Sequence, residues 1–175
     1  MPLLREQELC WSPVVANSSM NRSRKSSGVN SYEKEFKFRP EDFLADKIKE
    51  LGLCAWLDLC CGEGRALLQS CEYFSRSGLQ EKIKLTGIDL LEVIQPADEK
   101  KPFLSFEAAS VVTWQPKMKY DLVTCSHGLH YLGDKLKVIA MATACLNDSG
   151  LFVAHLDLQN VLIDGLPSAP LMKHL

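Results

Sequence analysis

The stretch CAWLDLCCGEGRALL, residues 54–68, decides the fold. Cys54 to Cys60 reads as a buried strand broken only by the acid Asp58. Cys60, Cys61, Gly62, Glu63 and Gly64 then make a tight turn of mostly small residues. From Gly64 to Arg76 the apolar side chains Ala66, Leu67, Leu68, Cys71 and Phe74 recur at helical spacing. The predicted unit is strand, sharp turn, helix. Gly62 and Gly64 permit backbone angles closed to other residues and leave room above the turn. The N–H groups at the start of the following helix favour a carboxylate or phosphate. Asp58 repels an anion and attracts an ammonium, so a ligand carrying both amino and carboxylate groups suits the turn. The alternative is that Asp58 only caps the helix.

Working outward, Pro40 and the acids Glu41 and Asp42 start a helix that Gly52 stops. Further strands are predicted at 83–89, 103–110, 120–126 and 151–156, with a helix over 134–146 closed by a turn at Asn147–Gly150. Strands alternating with helices or long crossovers predict an α/β fold: a doubly wound, mainly parallel, Rossmann-like sheet of about five strands. Ligands of such sheets bind at the carboxyl ends of the strands, where strand order reverses.

A second acid, Asp89, ends the second strand and is placed to accept from vicinal ribose hydroxyls. A simple strand-end turn is the alternative for it. An amino acid joined to a ribose across small residues describes S-adenosylmethionine. The dinucleotide fingerprint G-x-G-x-x-G fails because Leu67 stands at its last position, and no Walker loop is present.

Together, LDLCCGEGRALL, LTGIDLL and YDLVTCSHGLHYLGDKL resemble the class I S-adenosylmethionine-dependent methyltransferases, in order and spacing, over residues 54–158. The resemblance implies that Asp58, Cys60, Gly62 and Gly64 hold the methionine portion. It implies that Asp89 binds ribose, Leu90 packs on adenine, and Ser110 and Val111 border the adenine edge. Ser126 and His127 face the methyl group, with His127 as the catalytic base if the acceptor must lose a proton. Three departures stand out. Cys60 replaces the first glycine of the family turn, so an altered turn is expected. Ser110 stands where an aspartate is common. Few residues follow Leu156, so the usual C-terminal antiparallel hairpin is expected to be absent. Strand 151–156 is then a hydrophobic edge that invites self-association, and the chain reads as a shortened form of a longer protein.

The chain has 175 residues, a net charge of −2 and 46% hydrophobic residues, which suits one domain and argues against nucleic-acid binding. No apolar run is long enough for a membrane span. Seven cysteines without a CxxC pair, and four histidines without ligand spacing, predict thiols in a reduced compartment and no metal site. Residues 1–32, rich in Ser and Asn, read as a flexible tail before a methyltransferase-like domain over 33–175. The acid-free stretch 9–32 faintly resembles a mitochondrial leader, but the cytoplasm is the expected compartment. The methyl acceptor is open among small molecules, proteins and RNA. The rival to an active enzyme is a catalytically silent binding or interaction module.

Overall fold

Strands that are apolar on both faces need helices crossing over each side of their sheet. The computed structural model, which describes residues 23–90, 101–158, 161–163 and 166–167, has this arrangement. The strands β1 (Cys54–Leu59), β2 (Ile83–Asp89), β3 (Leu104–Ala108), β4 (Tyr120–Cys125) and β5 (Leu146–Ala154) form one sheet in the order β3-β2-β1-β4-β5. All pairings in it are parallel. The order reverses between β1 and β4, so the glycine turn after β1 lies at the switch point.

Helices α1 (Tyr32–Phe36), α2 (Pro40–Leu51), α3 (Arg65–Arg76) and α4 (Lys135–Ala144) complete the layers. Pro40 opens α2, and Gly52 closes it at φ 83° with its N–H on the Ile48 carbonyl. Leu44 and Ile48 of α2 and Leu67 and Phe74 of α3 pack on Trp56, Leu85 and Leu104 on one face of the sheet. Val138 and Ala142 of α4 pack on the other face, against Leu57, Leu59 and Val123. The expected doubly wound, parallel, Rossmann-like fold is present. No helix among the described residues is long and apolar enough to cross a membrane.

Two expectations need correction. The fifth strand begins at Leu146, not Leu151, and the predicted turn at Asn147–Gly150 lies inside it. The step from Tyr120 to Leu122 on β4 is matched by the step from Leu146 to Leu151 on β5. The turn-like residues therefore form an irregularity in a paired strand. Asn147 anchors it by donating its side-chain amide to Asp121 Oδ1 at 2.7 Å. A Cβ at Gly150 would lie 2.9 Å from the Tyr120 carbonyl oxygen.

Second, residues 23–31 pack on the domain instead of trailing from it. The Ser26 backbone N–H and hydroxyl donate to Gln69 Oε1 of α3 at 3.0 and 2.8 Å, and Gln69 Nε2 donates to Ser27 Oγ at 3.0 Å. Arg24, Ser26 and Ser31 are buried. The rest of the expected tail, residues 1–22, lies outside the described residues. Among the described residues the main sheet lacks the usual C-terminal antiparallel hairpin, as expected: the short antiparallel pair β6 (Leu162–Ile163) and β7 (Leu166–Pro167) that follows β5 does not join it. The pair forms its own two-stranded sheet, so β5 borders the main sheet among the described residues.

Candidate active site

Side chains alternate along a strand, so pairing register fixes which acids share a face. Asp58 pairs with Gly87 and Leu59 with Ile88. Asp89 therefore follows Gly87 on the face of Asp58, and both acids sit at the carboxyl edge of neighbouring strands. Their surroundings differ sharply. Asp58 is 0% exposed. The Tyr32 hydroxyl donates towards its two oxygens at 3.0 and 2.8 Å, and Thr124 Oγ1 donates at 2.6 Å. Trp56 Nε1 in turn donates to Thr124 Oγ1 at 2.8 Å. Burial pushes the Asp58 carboxyl up to about 7, the bonds from Thr124 and Tyr32 oppose that rise, and the charge of Asp89 adds to it. Burial, followed by the adjacent Asp58, also raises Tyr32 well above the ordinary phenol range. A direct contact between Asp58 and a ligand ammonium, as read from sequence, requires Tyr32 to move aside.

The turn after β1 uses left-handed backbone at Cys60 (φ 56°), Gly62 (59°) and Gly64 (66°). Cys60 takes a left-handed conformation that glycine adopts freely, at a cost of about 1–2 kcal/mol. Gly128 makes room for it. A Cβ at position 128 would lie 2.4 Å from Cys60 Cβ and 2.8 Å from the sulfurs of Cys60 and Cys125. Gly128→Ala is expected to destabilise the fold by about 1–3 kcal/mol through overpacking. Adding Cys60→Gly should recover part of the loss, with Cys125 still in the way. Urea unfolding of both variants checks this, and a Gly128→Ala protein as stable as the parent would refute the compensation.

The space expected above Gly64 is also taken. A Cβ there would lie 2.4 Å from the Phe106 ring, and one at Gly87 would lie 2.6 Å from it. Phe106 thus packs where glycines leave the sheet bare. Gly62 donates its N–H to Asp89 Oδ2 at 2.8 Å. One carboxylate therefore closes the turn while lying where a ribose would be read, so both readings of Asp89 meet in one place. Gly64 caps α3 without a side-chain hydrogen bond. The N–H groups of the first turn of α3 are left to attract an anion.

The remaining candidates follow the same edge. Leu90 is 39% exposed. The end of β3 stays beside Asp89, since Ala109 donates its N–H to the Asp89 carbonyl at 2.8 Å. Ser110 opens a turn whose carbonyl accepts from Thr113 and Trp114. Val111 is buried in the core with Ile88 and Trp114. Ser126, at the end of β4, is buried, and its hydroxyl has no hydrogen-bond partner among the described residues.

His127 has φ 56° and stacks on His155, with ring centroids 4.1 Å apart. Its Nε2 lies 3.3 Å from Glu35 Oε2, and Arg24 pairs with Glu35 Oε1. Partial burial raises the Glu35 carboxyl, but the bonds and charges of Arg24 and His127 bring it below its ordinary value. Sequence reasoning missed Tyr32, Thr124, Phe106, Glu35 and His155. Nothing local marks them, because each acts on a residue distant in sequence.

The turn lies at the carboxyl ends of the strands at the switch point of a Rossmann-like sheet, where ligands of such sheets bind. The sequence model for a methyltransferase domain matches residues 29–171. The chain belongs to the methyltransferase-domain family. No match is found among curated protein sequences. This methyltransferase domain is similar in structure to the plantazolicin methyltransferase BpumL, solved with a desmethylPZN analogue and SAH. The TM-score is 0.56 at 19% identity, covering 85% of this chain and 55% of the other. The CMeT domain of the citrinin polyketide synthase matches with TM-score 0.59 and 18% identity, over 85% of this chain and 40% of that one. PKMT2 from Rickettsia typhi, solved with AdoHcy, matches with TM-score 0.50 and 20% identity, over 68% and 25%. The methyltransferase domain described here thus spans about half or less of the length of these structures.

Proposed function

We propose that this domain binds S-adenosylmethionine along the carboxyl edge of β1, β2 and β4 and directs its methyl group to an acceptor on the His127 side. The observation that carries the proposal is the left-handed turn from Cys60 to Gly64 closing onto Asp89 at the switch point. The residues present fit the cofactor provided that Tyr32 and Phe106 shift from Asp58 and Gly64. Asp89 would take the ribose hydroxyls, Leu90 the adenine face and Ser110 the adenine edge. The first turn of α3 would take the carboxylate. The Ser126 hydroxyl, buried without a partner among the described residues, calls for a polar group beside it. Family membership, and the SAH and AdoHcy held by the structural neighbours, support the same reading.

The bound cofactor supplies an electrophilic sulfonium methyl group; the chain supplies orientation and exclusion of water. Where the acceptor must lose a proton, His127 is the group on that side. With its Nε2–H donated to Glu35, its Nδ1 is the nitrogen that accepts.

A second reading, a silent binding module, is favoured by Tyr32 covering Asp58 and Phe106 filling the space over Gly64. One experiment separates the two. S-adenosylhomocysteine at about 100 times its Kd should add about 2.7 kcal/mol of stability, raising Tm by roughly 5–10 °C, while NAD should leave Tm unchanged. Labelled methyl transfer to fractionated extract then distinguishes turnover from binding alone. No shift with S-adenosylhomocysteine would remove both cofactor-based readings.

A further inference from the structure

Spacing in the sequence predicts no metal site, yet the fold draws three ligand-type side chains together. Glu35 lies on α1, His127 follows β4 and His155 follows β5. Glu35 and His127 are 92 positions apart. The Nε2 atoms of both histidines lie 3.3 Å from the same oxygen, Glu35 Oε2. All three ligand atoms fall within 4.8 Å of one another.

We propose that Glu35, His127 and His155 form a binding site for a zinc ion, with the fourth position open to water. The donor set, two imidazoles and one carboxylate, is one that zinc takes when it keeps an open position. The size also fits. Zinc bonds of about 2.1 Å in a tetrahedron put neighbouring ligand atoms roughly 3.4 Å apart, close to the 3.3 Å of both nitrogen–oxygen edges. The third edge closes by a tilt of the two rings, which now lie nearly parallel, at 15°.

The second oxygen of Glu35 is already held. Arg24, itself 5% exposed, pairs with Oε1 and leaves Oε2 aimed at the histidines. Outer-shell bonding of this kind orients a ligating carboxylate. The His155 backbone is fixed as well, since its N–H donates to the Cys125 carbonyl at 3.4 Å. The positive charge of Arg24 sets a limit: affinity should fall below that of structural sites with four ligands. The competing description is a hydrogen-bonded Glu–His cluster that orients His127 as a base through Nδ1; zinc on Nε2 leaves the imidazole proton on Nδ1, so the metal and base roles exclude each other.

The test uses the full chain, stripped of metal and titrated with cobalt(II) and then zinc(II). The site predicts one equivalent of cobalt with the visible d–d absorption of tetrahedral coordination, lost on zinc addition. Thiolate charge-transfer bands should be absent. His155→Ala and Glu35→Gln should each weaken binding by about tenfold or more. The side chains of both residues are partly exposed, at 25% and 33%, so both variants are expected to fold, which circular dichroism verifies. His155→Asn serves in place of a variant that does not fold. No visible band, a band unchanged in the variants, or strong thiolate bands from binding at cysteines would each overturn the proposal. S-adenosylhomocysteine binding, measured alongside, is expected with or without zinc, so failure of the metal site and failure of the cofactor reading are distinguishable.

Discussion

Asp89→Ala is expected to lower affinity for S-adenosylhomocysteine by about 10- to 100-fold, as read by calorimetric titration. Hydrogen bonds to a charged group contribute about 1.5–3 kcal/mol, and each 1.4 kcal/mol is about tenfold in Kd. If Asp89 reads the ribose as proposed, the alanine removes such bonds. It also frees the Gly62 N–H, which now donates to Asp89 Oδ2 at 2.8 Å, and so loosens the turn on which the methionine end would rest. Asp89→Asn separates the two losses. It keeps an oxygen for the Gly62 N–H but gives up the charge, so its affinity should fall between parent and alanine. An alanine variant that binds within about twofold of the parent would end the case for this site.

Asp58 should make the fold lose stability as pH rises. Its carboxyl sits at about 7 in the folded chain against an ordinary value of 3.8, with burial as the main cause. The folded state therefore holds this proton more tightly than the unfolded state. The contribution is full below about pH 4, declines from there up to about pH 7, and is gone above it. Three units at about 1.4 kcal/mol each put the swing at roughly 4 kcal/mol. Asp58→Asn has no such proton to lose. Its stability relative to the parent should improve steadily between about pH 4 and pH 7 and level off above that in urea unfolding. Parallel stability profiles for parent and variant would show that Asp58 ionises in the fold without cost.

The two results together would separate the paired acids. Asp89 closes onto the turn and is proposed to read the ligand. Asp58, locked by Tyr32 and Thr124, sets the balance between stability and charge beneath it. From sequence they look equivalent, one at the tip of each strand. The difference arises because Tyr32 reaches Asp58 from another element, and no local pattern carries that contact.

The same division runs through the whole comparison. The strand–turn–helix at residues 54–76 was legible because periodicity and glycine placement are local signals. The five strands and their parallel order followed from the alternation of elements. What failed was what depends on distant partners. Residues 23–31 have the composition of a tail, but the distant Gln69 side chain of α3 ties the Ser26 and Ser27 backbone and hydroxyls to the domain. Asn147 to Gly150 has the composition of a turn, and Asp121 on the neighbouring strand turns it into part of β5. Cys60 was correctly read as unfavourable at positive φ, but Gly128 supplies the space that offsets it. Glu35, His127 and His155 have no ligand spacing because three separate elements deliver them.

The irregularity in β5 also bears on how the border of the sheet meets other chains. An approaching strand needs consecutive, evenly spaced amides and carbonyls to zip onto. β5 breaks that spacing between Leu146 and Leu151 and keeps it only over the short run to Ala154. Such a break bends the strand away from flatness and deprives a would-be template of length. The apolar rim that looks adhesive in the sequence is therefore expected to offer another chain only a short template.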